Sequence, residues 1–192
     1  LLPYDVCNLG SVNVGAFVKD GQVDWDGMRQ VIHLSTHFLE NVIDANNYPL
    51  PEITDLAQQI RRIGLGVMGL ADLLIRLGIP YDSEEGVEMG RKVQKFLDDE
   101  GKVESERLAG IRGTFPAWDK SIWGPDATAA RGSKGERIRP MRKLRNCNVT
   151  VWHELARRRQ DVEEVRIGRI DGRRSPGHQR DLATLPAVGL GP

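Results

Sequence analysis

The sequence predicts an α/β chain that is mostly helical and opens on one N-terminal strand. Three observations predict it. Residues 6–18 alternate with period two, residues 25–108 carry apolar side chains at helical spacing, and Gly and Pro punctuate the stretches between. The 192 residues carry 27 basic and 27 acidic side chains, 40% hydrophobic residues and a mean hydropathy of -0.40. That is the composition of a soluble globular chain, long enough for one core. Zero net charge gives no electrostatic ground for a nucleic-acid or membrane-surface partner. No apolar run approaches the ~20 residues that cross a bilayer. Two cysteines, Cys7 and Cys147, cannot form a disulfide scaffold, so a reducing, cytoplasmic location is expected. There is no initiator Met, and the opening Leu1-Leu2-Pro3-Tyr4 reads as the middle of a longer chain.

The strand comes first. In residues 6–18, Val12, Val14 and Ala16 point one way and Ser11, Asn13 and Gly15 the other. Asp20-Gly21 supplies a turn. Residues 25–44 place Met28, Val31, Ile32, Ser35, Phe38, Leu39, Val42 and Ile43 on one helical face, with Asp24 as N-cap. His33 and His37 lie four apart, as helical metal ligands can. They share the polar face with Asn41, no third ligand is evident, and a solvated face is the simpler reading. Pro49 and Pro51 forbid continuation.

Residues 52–77 read as one helix, from Ile53 and Leu56 through Ile63 and Val67 to Leu77, with Gly78 at the C-terminal glycine position. Within it, Gly64-Leu65-Gly66-Val67-Met68-Gly69 matches the dinucleotide-binding G-x-G-x-x-G. That motif needs a buried strand before it and a helix after it. Here polar helical residues precede it, so a glycine-faced helix is the plainer reading. A third helix runs from about Asp82 to Leu108, with Asp82 and Glu85 at capping-box spacing and an exposed lattice of charges. From Gly110 to Asn146 a loop region follows. Arg131, Lys134, Arg137, Arg139, Arg142, Lys143 and Arg145 make it basic, enough to hold a phosphate or simply to be solvated. Residues 151–192 hold eight arginines and no lysine, whereas residues 1–150 hold seven lysines.

Cys7, taken alone on its strand, reads as a small buried hydrophobe. The wider wording says more. Leu1 to Asn13 (LLPYDVCNLGSVN) resembles the catalytic subunit of ribonucleotide reductase, as does Arg61 to Leu74 (RRIGLGVMGLADLL). Asn41-Val42-Ile43-Asp44, Tyr48-Pro49-Leu50-Pro51, Leu77 to Glu85, Gly113-Thr114-Phe115-Pro116 and Trp118 to Ile122 continue the likeness. It covers residues 1–150 and is nearest the adenosylcobalamin-dependent branch.

The resemblance implies a partial segment of a ten-stranded α/β barrel. It implies a radical-bearing loop that ends just before residue 1. It also implies that Cys7 is one of two redox cysteines, with its partner outside the chain, and that Leu9 lines the substrate pocket. Implied cofactors and partners are adenosylcobalamin, a ribonucleoside di- or triphosphate, a thioredoxin or glutaredoxin as electron donor, and a homodimer. Cys147 stands where the family has a small residue and reads as an incidental thiol. Beyond Thr150 the family wording stops, so residues 151–192 are expected to be a tail, frame-shifted or disordered. The segment alone is expected to be inactive, and open strand edges predict poor solubility. Two other readings stay open from the residues: a nicotinamide-dependent dehydrogenase on Gly64–Gly69, and a non-catalytic helical interaction module with Cys7 structural.

Overall fold

A computed structural model describes residues 3–125, 136–137 and 140–150. The elements are β1 (Asn8–Asn13), a 3-10 turn (Val14–Phe17), β2 (Val18–Lys19), β3 (Gln22–Val23), α1 (Trp25–Ala45), α2 (Pro51–Ile60), β4 (Ile63–Met68), α3 (Leu70–Leu77), α4 (Glu84–Arg112) and a second 3-10 turn (Trp118–Lys120). The α/β class and its mostly helical character hold, and no closed barrel is present among the described residues.

β1 and β4 pair in parallel, from Asn8↔Ile63 to Asn13↔Met68. On the other edge of β4, Ile63 N donates to Asn148 O (3.2 Å), Leu65 N donates to Val149 O (2.8 Å), and Leu65 bridges Thr150 in parallel. The ladder order is therefore β1, β4, then 148–150. Helices connect the strands, as parallel pairing requires. α1 crosses β1, and α4 packs on α1, with Trp25 edge-on to Phe96 at 4.9 Å. Val12, Met28, Ile32, Leu39, Ile63, Leu65, Leu73 and Leu97 fill the core between sheet and helices. A smaller cluster of Phe115, Trp123 and Leu144 closes the loop region. The helices cover only one face of β1. On the other, Leu9 is 69% exposed, and Ser11 and Asn13 are exposed too.

Several expectations change. Residues 52–77 are not one helix but α2, β4 and α3. Arg61, at φ 49° and ψ 53°, turns left-handed and ends α2. After Arg62, Ile63–Met68 are strand. Along β4, Ile63, Leu65 and Val67 alternate with Gly64 and Gly66, so no polar side chain marks the second face, and Ile63 and Val67 alone also fit helical spacing. The predicted strand 6–18 is shorter: β1 ends at Asn13, and the chain turns through Val14–Phe17 before the β2–β3 hairpin at Asp20-Gly21. α4 is capped by Ser83, whose Oγ accepts from Gly86 N at 3.0 Å, rather than by Asp82. The Asp24 cap holds, with its carboxylate accepting from Gly27 N at 2.9 Å. Gly78 closes α3 at φ 73°. Phe38, assigned to the buried stripe of α1, is 64% exposed.

The His33/His37 face is only partly solvated, because α4 lies over it and leaves the two imidazole side chains 30% and 36% exposed. His33 Nε2 meets Glu100 at 2.9 Å, while His37 Nε2 meets the Arg112 guanidinium at 3.1 Å. No helix among the described residues is long and apolar enough to cross a membrane. The tail 151–192 lies outside the described residues, as do Arg131, Lys134 and Arg139 of the basic stretch.

Candidate functional site

The site forms where the three parallel strands begin. Cys7 is the residue before β1, Arg62 the residue before β4, and Cys147 the residue before Asn148. The register Asn8↔Ile63 sets Cys7 beside Arg62, and Cys147 lies beyond β4, its N–H donating to Ile60 O at 3.0 Å. Asp5 completes the group. Its carboxylate oxygens lie 3.1 and 3.3 Å from Arg62 Nε. The Asp5 side chain is 0% exposed and that of Arg62 7% exposed, so this is a buried ion pair.

Both thiols are hard to ionise, for related reasons. Burial raises the Cys7 thiol above its ordinary value. The Arg62 guanidinium opposes that rise, and Asp5 adds to it. Cys147 is pushed up to about 12, chiefly by burial, with Arg62 opposing and Asp5 and Cys7 adding. Cys147 is not a disulfide partner for Cys7 within this frame. Two strand spacings of ~4.8 Å separate their chains by roughly 10 Å, beyond the ~7 Å Cα separation a disulfide tolerates. Arg62 stands between them.

Leu9 occupies the open face of β1, opposite Gly64, with Ser11 opposite Gly66. This corrects the reading of the glycine motif as a glycine-faced helix. A strand does precede α3, and Gly69 caps that helix at φ 74°. The motif still does not make a phosphate loop. Gly64 and Gly66 lie inside the ladder, whereas the dinucleotide fingerprint needs its glycines in the turn that follows a strand. Gly69 serves a local purpose. A Cβ there would collide with Asn13 Oδ1 and sit 3.3 Å from Gly15 N.

Sequence reasoning missed the polar network that fixes this end of the strands. Glu40 on α1 is fully buried. Its carboxylate accepts from Arg61 (2.6 and 2.8 Å), from Arg145 Nε (2.7 Å) and from Asn146 Nδ2 (2.6 Å). Arg61 also forks onto Asp44 at 2.7 and 2.8 Å, which holds the Asp44 carboxyl below the usual carboxylate range. Asn146 Nδ2 donates to Arg61 O at 3.1 Å, and Ser105 Oγ donates to Asn146 Oδ1 at 2.9 Å. α1, α4, the α2–β4 corner and the third strand are thereby bound together. The one visible signal was an acid, Glu40, beside the apolar stripe of α1. Two cations of the basic stretch are likewise used internally: Arg145 on Glu40, and Arg142 on Glu106 at 2.8 Å.

At the other end of β4, a cavity of about 390 Å³ opens between Val67, Met68, Leu74, Tyr81, Val87 and Arg91. It is mostly apolar and lies a full strand length from Cys7.

A parallel ladder with helices on one face, a polar-locked strand end and a thiol at that end define a thiol-bearing segment of a parallel α/β fold. The family model for the ribonucleotide reductase barrel domain matches residues 3–163, and the chain belongs to that family. It is 47% identical over 141 residues to the vitamin B12-dependent ribonucleoside-diphosphate reductase of Thermoplasma acidophilum, covering 73% of this chain and 18% of that protein. It is 49% identical over 121 residues to the reductase of the same description from Mycobacterium tuberculosis (strain ATCC 25618 / H37Rv), covering 63% and 17%. With the ribonucleoside-diphosphate reductase subunit alpha of Chlamydia pneumoniae it shares 36% over 118 residues, covering 62% and 11%. The chain thus spans less than a fifth of the length of these relatives.

Proposed function

We propose that this chain is a segment of the catalytic subunit of a ribonucleoside-diphosphate reductase, and that Cys7 is one of its two redox thiols. The observation that carries the reading is the place of Cys7: at the head of β1, half-buried, beside the Asp5–Arg62 pair, within the stretch matched by the ribonucleotide reductase barrel family. Replacing a ribose 2′-hydroxyl by hydrogen needs two electrons. Two thiols supply them as they close to a disulfide, and the hydroxyl leaves as water. A thioredoxin-like dithiol in the reducing cytoplasm then reopens the disulfide by exchange. Placing Cys7 at the head of a packed strand fixes its sulfur relative to the sugar. Leu9, two residues on, lies on the open face and lines the pocket.

Two relatives named vitamin B12-dependent support the cobalamin-dependent branch and a diphosphate substrate. The imidazoles among the described residues, His33 and His37, are engaged with Glu100 and Arg112, so neither is free to serve as an axial ligand to a corrin-bound cobalt. The Cys7→Ser variant of a full-length reductase carrying this segment tests the assignment. Turnover with a dithiol reductant should fall by at least a hundredfold, with the circular dichroism spectrum unchanged. Sustained turnover in that variant would remove Cys7 from the redox pair.

A further inference from the structure

The Asp5–Arg62 pair is unexplained by packing. Buried ion pairs contribute little net stability, and apolar side chains of similar volume do as well or better. The neighbouring Arg61 already locks the strand end through Glu40 and Asp44. Arg62 instead lies one residue ahead of the Asn8↔Ile63 pair, beside Cys7, with Asp5 as its anchor two residues before the thiol. We propose that Arg62 is a positioning residue for the redox thiol: anchored by Asp5, it holds a fixed cation beside the Cys7 sulfur and stabilises the thiolate formed when Cys7 leaves a disulfide. The inference rests on the redox reading of Cys7.

The exchange step shows why a cation is useful there. An external thiolate attacks the partner sulfur, the S–S bond breaks, and Cys7 departs with the electron pair as thiolate. The second external thiol, deprotonated, then closes the external disulfide and releases the partner sulfur. The two protons lost by the external dithiol end on Cys7 and its partner. The departing sulfur of a buried cysteine is a poor leaving group unless its charge is met. Arginine suits this role because it stays protonated in a buried site. The charged groups that bear on Cys7 are Arg62 and Asp5, and the other thiol nearby is Cys147.

The sign of the response separates charge from scaffolding. The rate of Cys7 alkylation by iodoacetamide is followed from pH 6.5 to 10.5 in the whole 192-residue chain, by peptide mass spectrometry that resolves Cys7 from Cys147. Arg62→Gln should slow alkylation at pH 8 by roughly fivefold, and Asp5→Asn should speed it by a similar factor, as expected when one neighbouring charge is removed. Arg62→Lys should stay within about twofold of the parent. If the pair only held residues 5–7 in place, both Arg62→Gln and Asp5→Asn would loosen the site and speed alkylation together. That result, or no change in either, overturns the proposal. Should Arg62→Gln fail to fold, Asp5→Asn and Arg62→Lys decide it: parent-like alkylation in the first, or a slowing beyond fivefold in the second, overturns it. The measurement needs no turnover. A failure here leaves the redox role of Cys7 to the serine variant, and loss of that role leaves this result standing.

Discussion

The two ends of the β1–β4 ladder solve opposite problems. At the leading end, Cys7, Arg62 and Cys147 sit among buried charges, and each buried polar group named there has a partner. At the trailing end, Asn13, Met68 and Gly69 border a turn too tight for a side chain and an apolar cavity. The leading end is fixed by directional, charge-assisted bonds, which define one geometry. The trailing end is fixed by backbone shape. Chemistry that must place a sulfur accurately fits the first kind of order better than the second.

The largest expected effect breaks the leading end. Glu40→Ala removes the one carboxylate shared by Arg61, Arg145 and Asn146, and leaves the buried Arg61 and the half-buried Arg145 guanidinium groups short of charge. Losing one partner of a buried ionic network costs about 3–5 kcal/mol. Urea denaturation of the chain should show a loss of that size. A loss below about 1 kcal/mol would mean that water already reaches the network. Glu40→Gln should fall between, since it keeps the shape and loses the charge.

The trailing end should respond less. Gly69→Ala puts a side chain at φ 74° and against Asn13 Oδ1. A strained left-handed residue costs on the order of 1–3 kcal/mol. The Asn13→Ala background should return part of that loss, because it removes the atom struck but not the backbone strain. Equal losses in both backgrounds would assign the whole cost to φ.

The contrast between the ends also explains what the sequence could and could not reveal. β1 was legible because one face is open, so polar and apolar residues alternate. β4 was not, because Gly64 and Gly66 stand where polar side chains would mark its second face, and Ile63 and Val67, four apart, also fit helical spacing. Its glycines were the overlooked sign, since each costs about 1 kcal/mol in a helix. Asp24 and Gly78 were legible because caps are local. The Glu40 network was not, because it joins residues 21 and 106 positions apart, and no short-range pattern records such a pairing. Cys7 emerged only through family wording. Its strand position was readable, but nothing local named Arg62 as its neighbour.

The smallest expected effect tests the open face against the covered one. Leu9 and Val12 lie three residues apart on β1, yet Leu9 is 69% exposed and Val12 3%. Val12→Ala removes two buried methyl groups from between β1 and the helices. Each buried carbon is worth about 0.8 kcal/mol, and the void left behind adds to the cost, so roughly 2 kcal/mol should be lost. Leu9→Ala touches no core and should stay within about 0.5 kcal/mol of the parent by the same urea titration. In a full-length reductase the order should invert. If Leu9 lines the substrate pocket, its truncation should raise KM several-fold while Val12→Ala leaves KM near the parent value. An unchanged KM for Leu9→Ala would strip that residue of its pocket role and leave Cys7 as the site residue carried by β1.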